Sequence, residues 1–176
     1  MIISLARLPT DGLKFEHRYV SGELDPGDRD FRLIDLPVIT GRIERIGVDM
    51  RLRGTLRALI SRQCDRCLKD IEVPIDLSLD LLYTPAETGR GRSGEIELQE
   101  RDLDFAIYDN DQINLDEMVV EQLELSLPSR VLCNEECQGI CPQCGVDLNA
   151  EKCDCNAPID PRWQALAAVR EELENQ

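Results

Sequence analysis

The chain carries a single histidine, His17, among its 176 residues. A zinc hydrolase or deaminase that grips its metal through several histidines is therefore excluded, and any histidine-based catalytic dyad would rest on that one residue. His17 lies in the strand-like run Phe15-Glu-His-Arg-Tyr19, where a structural role is expected. Aromatic residues are scarce at 4%, so the core must be built from aliphatic side chains, for which a hydrophobic content of 42% suffices. No run of residues is long and apolar enough to span a bilayer. The N-terminal stretch MIISLARLPTDG has no basic region followed by an apolar run and a small-residue cleavage site, so a secretory signal is not expected and a cytoplasmic location is. A phosphate-binding glycine loop is also missing. Gly89-Arg-Gly-Arg-Ser-Gly94 is glycine-rich but lacks the flanking strand and helix that such a loop needs.

Positive charge is the other shortage. The net charge is −15 and the isoelectric point is near 4.4, which opposes broad contact with nucleic-acid phosphates. The distribution is uneven. Between Arg42 and Lys69 eight basic residues face three acids, a local charge of +5. Between Glu95 and Glu136 thirteen acids face two arginines, a local charge of −11. The plain interpretation is solubility with internal charge pairing. The sharper one is a basic face on an acidic body.

Cysteine is abundant. Six of the eight cysteines fall in one stretch, at Cys133, Cys137, Cys141, Cys144, Cys153 and Cys155, and the other two form Cys64-Asp-Arg-Cys67. In a reducing compartment such pairs point to a thiophilic metal rather than to disulfides. Cys141-Pro-Gln-Cys144-Gly145 has the form of a metal knuckle, in which turn amides face the sulfurs and glycine closes the turn. With Cys153-Asp-Cys155 it makes a compact four-thiolate set. Cys133–Cys137 and Cys64–Cys67 are then two half-sites, and the simplest arithmetic joins them as a second set. Other pairings stay open, including one that groups Cys137, Cys141 and Cys144. One or two structural zinc ions are expected, because four thiolates leave no coordination position for a substrate. The rivals are an iron–sulfur cluster, whose ferredoxin spacing the run does not match, and a redox CxxC pair. If the half-sites do join, metal would fix the long-range fold, and chelation would loosen the whole domain.

The rest of the chain reads as a scaffold. Ile2–Leu8 and Leu13–Val20 look extended, Ser21–Asp30 is a polar loop, and Val38–Ile46 is an imperfectly alternating strand. Val48, Met50, Leu52, Leu56, Ala58 and Ile60 alternate with Asp49, Arg51, Arg53, Thr55 and Arg57, which is the period of a half-buried strand. Ile71 to Leu81 repeats the pattern with an acidic outer face. Together they predict a long antiparallel hairpin with Cys64–Cys67 at its tip, its arginine and acidic faces paired. Thr84–Gly94 is expected to be a mobile loop, and Leu103–Tyr108 a short strand. Asn114 is expected to cap a helix that ends at Leu127-Pro128. Asp160-Pro161 has the form of a helix start, with Trp163, Leu166, Ala167, Arg170 and Leu173 on one face. The predicted class is α+β: an antiparallel β-rich body with a long hairpin, a helix before and a helix after a C-terminal zinc-ribbon-like cysteine segment. Residues 1–130 would form the body and 131–176 the cysteine segment with its helix, packed as one unit with that body.

These elements resemble the YceD family, the large-ribosomal-RNA-subunit accumulation proteins. The resemblance rests on Cys64-Asp-Arg-Cys67-Leu68, an acidic helix ending at Leu127-Pro128, Leu132-Cys133 and the block Cys137-x-Gly-x-Cys-Pro-x-Cys-Gly145. Leu148-Asn149, Cys153-x-Cys155 and Asp160-Pro161-Arg162 complete it. Upstream of the hairpin only general strand character is shared. The resemblance implies a metal-binding, non-enzymatic protein that supports large-subunit rRNA accumulation and ribosome assembly, and it supplies no catalytic residue. Its partner would be the pre-ribosomal large subunit, met through a basic ribosomal protein or through rRNA, with neither membrane nor small-molecule substrate. Two alternatives remain: a zinc protein that binds RNA directly through Arg51, Arg53 and Arg57, and a thiol redox protein that uses a CxxC pair.

Overall fold

The computed structural model describes residues 1–86, 105–155 and 162. By internal contacts the chain forms two compact units. The first joins Met1–Cys64 to Lys69–Val131, and the second joins Asp65–Leu68 to the chain from Leu132 onward.

Among its described residues the first unit holds a five-stranded sheet, a two-stranded sheet and an α-helix. Five strands lie in the order β2 (Leu13–Arg18), β3 (Arg32–Ile46), β4 (Asp49–Gln63), β5 (Asp70–Pro85) and β6 (Phe105–Tyr108). The alternation of β4 fixes its two faces. Met50, Leu52, Leu56 and Ile60 are fully buried, whereas Arg53 and Arg57 are exposed. Val48, expected on the apolar face, falls in the turn before β4 and is 61% exposed. The register sets Arg53 opposite Asp80 and Arg57 opposite Asp76. Arg51 makes a bidentate pair with Asp80 at 2.6 Å, and Arg57 reaches Asp76 at 3.2 Å. The arginine row is thus matched across the hairpin, and the plain interpretation of the basic segment holds on this face. Exposed pairs of this kind contribute little stability.

Several expectations need correction. β3 starts at Arg32, before the expected Val38, and its pairing with β4 shifts between Leu33 and Val38. These bulges break the two-residue period that a sequence pattern relies on. β6 runs parallel to β5, so the sheet is not wholly antiparallel. Side-chain alternation carries no information about strand direction, which the connection decides. Thr84 and Pro85, expected in a loop, end β5 opposite Ile107 and Tyr108. The rest of that expected loop, and the helix expected after Asp160, lie outside the described residues. Leu5–Arg7, expected to be extended, forms a 3-10 turn after β1 (Ile2–Ser4). β1 pairs with an additional short strand, β7 (Gln112–Asn114).

Helix α1 (Leu115–Ser126) begins where Asn114 accepts the Asp116 amide N–H and stops ahead of Pro128. Leu115, Met118, Val119 and Leu123 join Ile39, Ile43, Met50, Leu52, Leu56 and Ile60 in one core. Its outer side carries Glu117, Glu121 and Glu124, all exposed. Spacings of four and three place these acids on one stripe. Tyr19 donates to Asp116 at 2.8 Å, tying the end of β2 to α1. His17 stacks edge-on to Tyr19, with Nε2 2.9 Å from the Glu23 carboxylate, as a structural residue would. Among the described residues no helix is long and apolar enough to cross a membrane.

Candidate metal centres

Each cysteine pair in CxxC form folds into the same knuckle. The Cys64 N–H donates to the Lys69 carbonyl at 2.8 Å, and the Cys141 N–H donates to the Val146 carbonyl at 2.9 Å. Both bonds span five residues, and both need a left-handed residue four after the first cysteine. Gly145 fills that place at φ +74°, as its sequence position suggests. In the other knuckle the place belongs to Leu68, at φ +61°. No sequence signal marks a leucine for that conformation, so the equivalence of the two turns shows only in three dimensions.

The eight sulfurs form two sets. Cys64, Cys67, Cys133 and Cys137 make the first, and Cys141, Cys144, Cys153 and Cys155 the second. Within each set every sulfur lies within 4.8 Å of the others. Four thiolates about 2.3 Å from one tetrahedral ion stand about 3.8 Å apart. The Cys67 and Cys133 sulfurs are 3.6 Å apart, which matches that edge. A multi-iron cluster inserts inorganic atoms between its cysteines and spreads them wider, so the sets fit a single ion each. None of the eight forms a disulfide. The first set is buried at Cys64, Cys67 and Cys137, whereas in the second only Cys141 is buried and Cys144 and Cys155 are exposed.

The local backbone favours negative charge on selected sulfurs. The N–H groups of Cys144 and Gln143 aim at Cys141 and bring its thiol down to about 6. Burial opposes ionisation of Cys137, but hydrogen bonds from the Gly139 amide and from Cys133, Asn149 and Cys67 outweigh it, leaving the thiol below its usual range. Cys155, hydrogen-bonded to Cys144, is pushed up to about 12. The second set therefore places an ionised thiol, Cys141, beside a protonated one, Cys155, and a divalent cation would displace the remaining protons.

Protein contacts alone support the halves of the second unit. The Ile140 N–H donates to the Arg66 carbonyl at 3.1 Å, and Arg66 Nη1 donates to the Cys137 carbonyl at 2.6 Å. Gly139, at φ +78°, leaves room for that approach, since a Cβ there would lie 3.0 Å from the Arg66 oxygen. Arg66 and Gly139 join these two segments, and cysteine counting misses them. Their place in the motifs Cys-x-Arg-Cys and Cys137-x-Gly was the available signal.

A β-rich chain with two closed sets of four thiols is the class of protein this geometry defines. Residues 52–170, which hold all eight cysteines, match the family model described as large ribosomal RNA subunit accumulation protein YceD. The chain belongs to the YceD family. It is 29% identical over 137 residues to a protein of Mycobacterium tuberculosis strain H37Rv, covering 78% of this chain and 62% of that protein. The chain thus spans less than two thirds of the length of such mycobacterial relatives. A Bacillus subtilis protein, YlbN, is 26% identical over 167 residues, 94% of this chain and 92% of its own. A chloroplastic protein of Arabidopsis thaliana, named large ribosomal RNA subunit accumulation protein YCED homolog 1, is 25% identical over 146 residues, 71% of this chain and 46% of its own. No solved structure matches the chain.

Proposed function

We propose that the chain is a non-enzymatic factor that supports accumulation of large-subunit rRNA, with one structural zinc ion in each four-cysteine set. Membership of the YceD family, matched over residues 52–170, carries the ribosomal part of this reading. The closed sulfur sets support the zinc part, since a fourth thiolate occupies the position a catalytic zinc keeps for water. The same sulfurs, taken up by metal, would be withdrawn from redox chemistry. In this reading the body and the cysteine segment work together as one assembly factor in the cytoplasm.

The contact is with a basic protein of the pre-ribosomal large subunit rather than with RNA. The hairpin arginines are matched by Asp76 and Asp80, while Glu117 and Glu121, with Glu124 beside them paired to Arg29 at 2.9 Å, present an acidic stripe on a protein of net charge −15. Co-sedimentation with large-subunit precursors tests this. Reversing the three glutamates to lysine should abolish it with zinc content and circular dichroism unchanged, whereas Asp76→Asn, which frees Arg57, should leave it intact. Persistence of binding in the triple variant would overturn the protein-contact reading. In cells lacking the chain, an unchanged ratio of large- to small-subunit rRNA would overturn the functional one.

A further inference from the structure

The loop that spaces the ligands of the second set also serves the first. Asn149 lies between Cys144 and Cys153, yet its Nδ2 reaches the Cys137 sulfur at 3.5 Å. The orientation of its amide is fixed. Oδ1 accepts the Gln138 N–H at 2.8 Å, and Nδ2 also donates to Asp147 at 2.6 Å. Reversing the amide would set a donor against the Gln138 donor. The backbone runs the same way. The Leu148 N–H donates to the Gly139 carbonyl at 2.9 Å, Ile140 and Asp147 form an antiparallel bridge, and Ile140 in turn donates to Arg66 beside Cys67. A short ladder thus leads from the loop of the second set to the ligands of the first.

We infer that Asn149 is a positioning residue for the first metal, and that occupancy of the second set strengthens binding at the first. A thiolate bound to a cation gains from an N–H donor that fixes its direction and shares its charge. The loop 145–152 holds that donor, and ligation of Cys144 and Cys153 at its two ends would restrict the loop to the conformation that delivers it. Metal in the second set then lowers the ordering cost of the first site. By linkage, the first metal strengthens the second by the same factor.

This inference rests on the two-zinc reading, and the experiment separates the two. The full chain is loaded with zinc, and bound metal is counted by native mass spectrometry. Fewer than two ions per chain overturns the two-zinc reading and the coupling with it. With two ions present, zinc is titrated against a chromophoric chelator to give two binding constants. Asn149→Ala should still bind two ions, with one constant weakened about 10- to 100-fold and the other within about 3-fold of its original value. Asn149→Asp, which keeps the acceptor for Gln138 and removes the donor to Cys137, should do the same. In the wild type with its second set filled, the first set should bind zinc more tightly than the same set does in the double variant Cys153→Ser/Cys155→Ser, which removes the second. If both Asn149 variants keep both wild-type constants, the positioning role fails while the two-zinc reading stands. Equal weakening of both constants would point to general loosening and would overturn it as well, as would a double variant that binds at full wild-type strength.

Discussion

Three residues in the second unit test how local backbone demands are met. Gly139 and Gly145 are both left-handed, at φ +78° and +74°. Only Gly139 faces an obstacle, the Arg66 carbonyl 3.0 Å from where a Cβ would lie, whereas Gly145 looks into open space. Leu68 already bears a side chain in the same conformation and is 55% exposed, so it is compensated by little burial. Gly145→Ala should therefore cost about 1 kcal/mol, the ordinary penalty of a left-handed non-glycine residue. Gly139→Ala should cost more, because the Arg66–Ile140 bond must stretch as well, and Leu68→Gly should be neutral or mildly stabilising. Thermal unfolding of the zinc-loaded proteins checks the order. If Gly139→Ala and Gly145→Ala are equal, the close approach to Arg66 has no energetic weight. The knuckle glycine was legible in the sequence because it follows a CxxC. The role of Gly139 was not, because its constraint is set by a residue far away in the chain.

At the level of elements, the hairpin is the most readable part of the protein. Its alternating apolar and charged positions place the arginine and aspartate faces, and the register then sets the pairs Arg53–Asp80 and Arg57–Asp76 opposite each other. The crossing of β3 and β4 was less visible. Gly41 and Gly54 are directly opposed, and a Cβ on Gly54 would lie 2.1 Å from the Thr40 carbonyl oxygen and 2.8 Å from the Gly41 Cα. Both obstacles are backbone atoms that no rotamer change relieves. Gly54→Ala should destabilise the first unit by about 1–3 kcal/mol or more, read as a lower urea midpoint. An unchanged midpoint would mean that the strands separate at no cost. The direction of β6 and the existence of β7 also escaped the sequence, since each depends on which neighbour a short strand finds.

At the scale of the whole chain, the two units differ in what holds them. The first has a continuous apolar core that contains no cysteine. The second contains all the candidate ligands except Cys64, and it joins the hairpin tip Asp65–Leu68 to the segment from Leu132. Chelation should therefore raise hydrogen exchange at 65–68 and 132–155 together and leave β4 and α1 protected, a narrower effect than loosening of the whole domain. Exchange that rises only beyond residue 132 would separate the tip from the metal. The sequence by itself determined the thiol chemistry, the helix start at Asn114 and the two-faced hairpin, because ligand type, capping and alternation are properties of residues a few positions apart. Only the tertiary structure decided that Cys133 and Cys137 join Cys64 and Cys67, and that Asn149 turns from one set to serve the other. Spacing along the chain limits which cysteines can meet. The path of the backbone, through bonds such as Arg66 to Ile140, selects those that do.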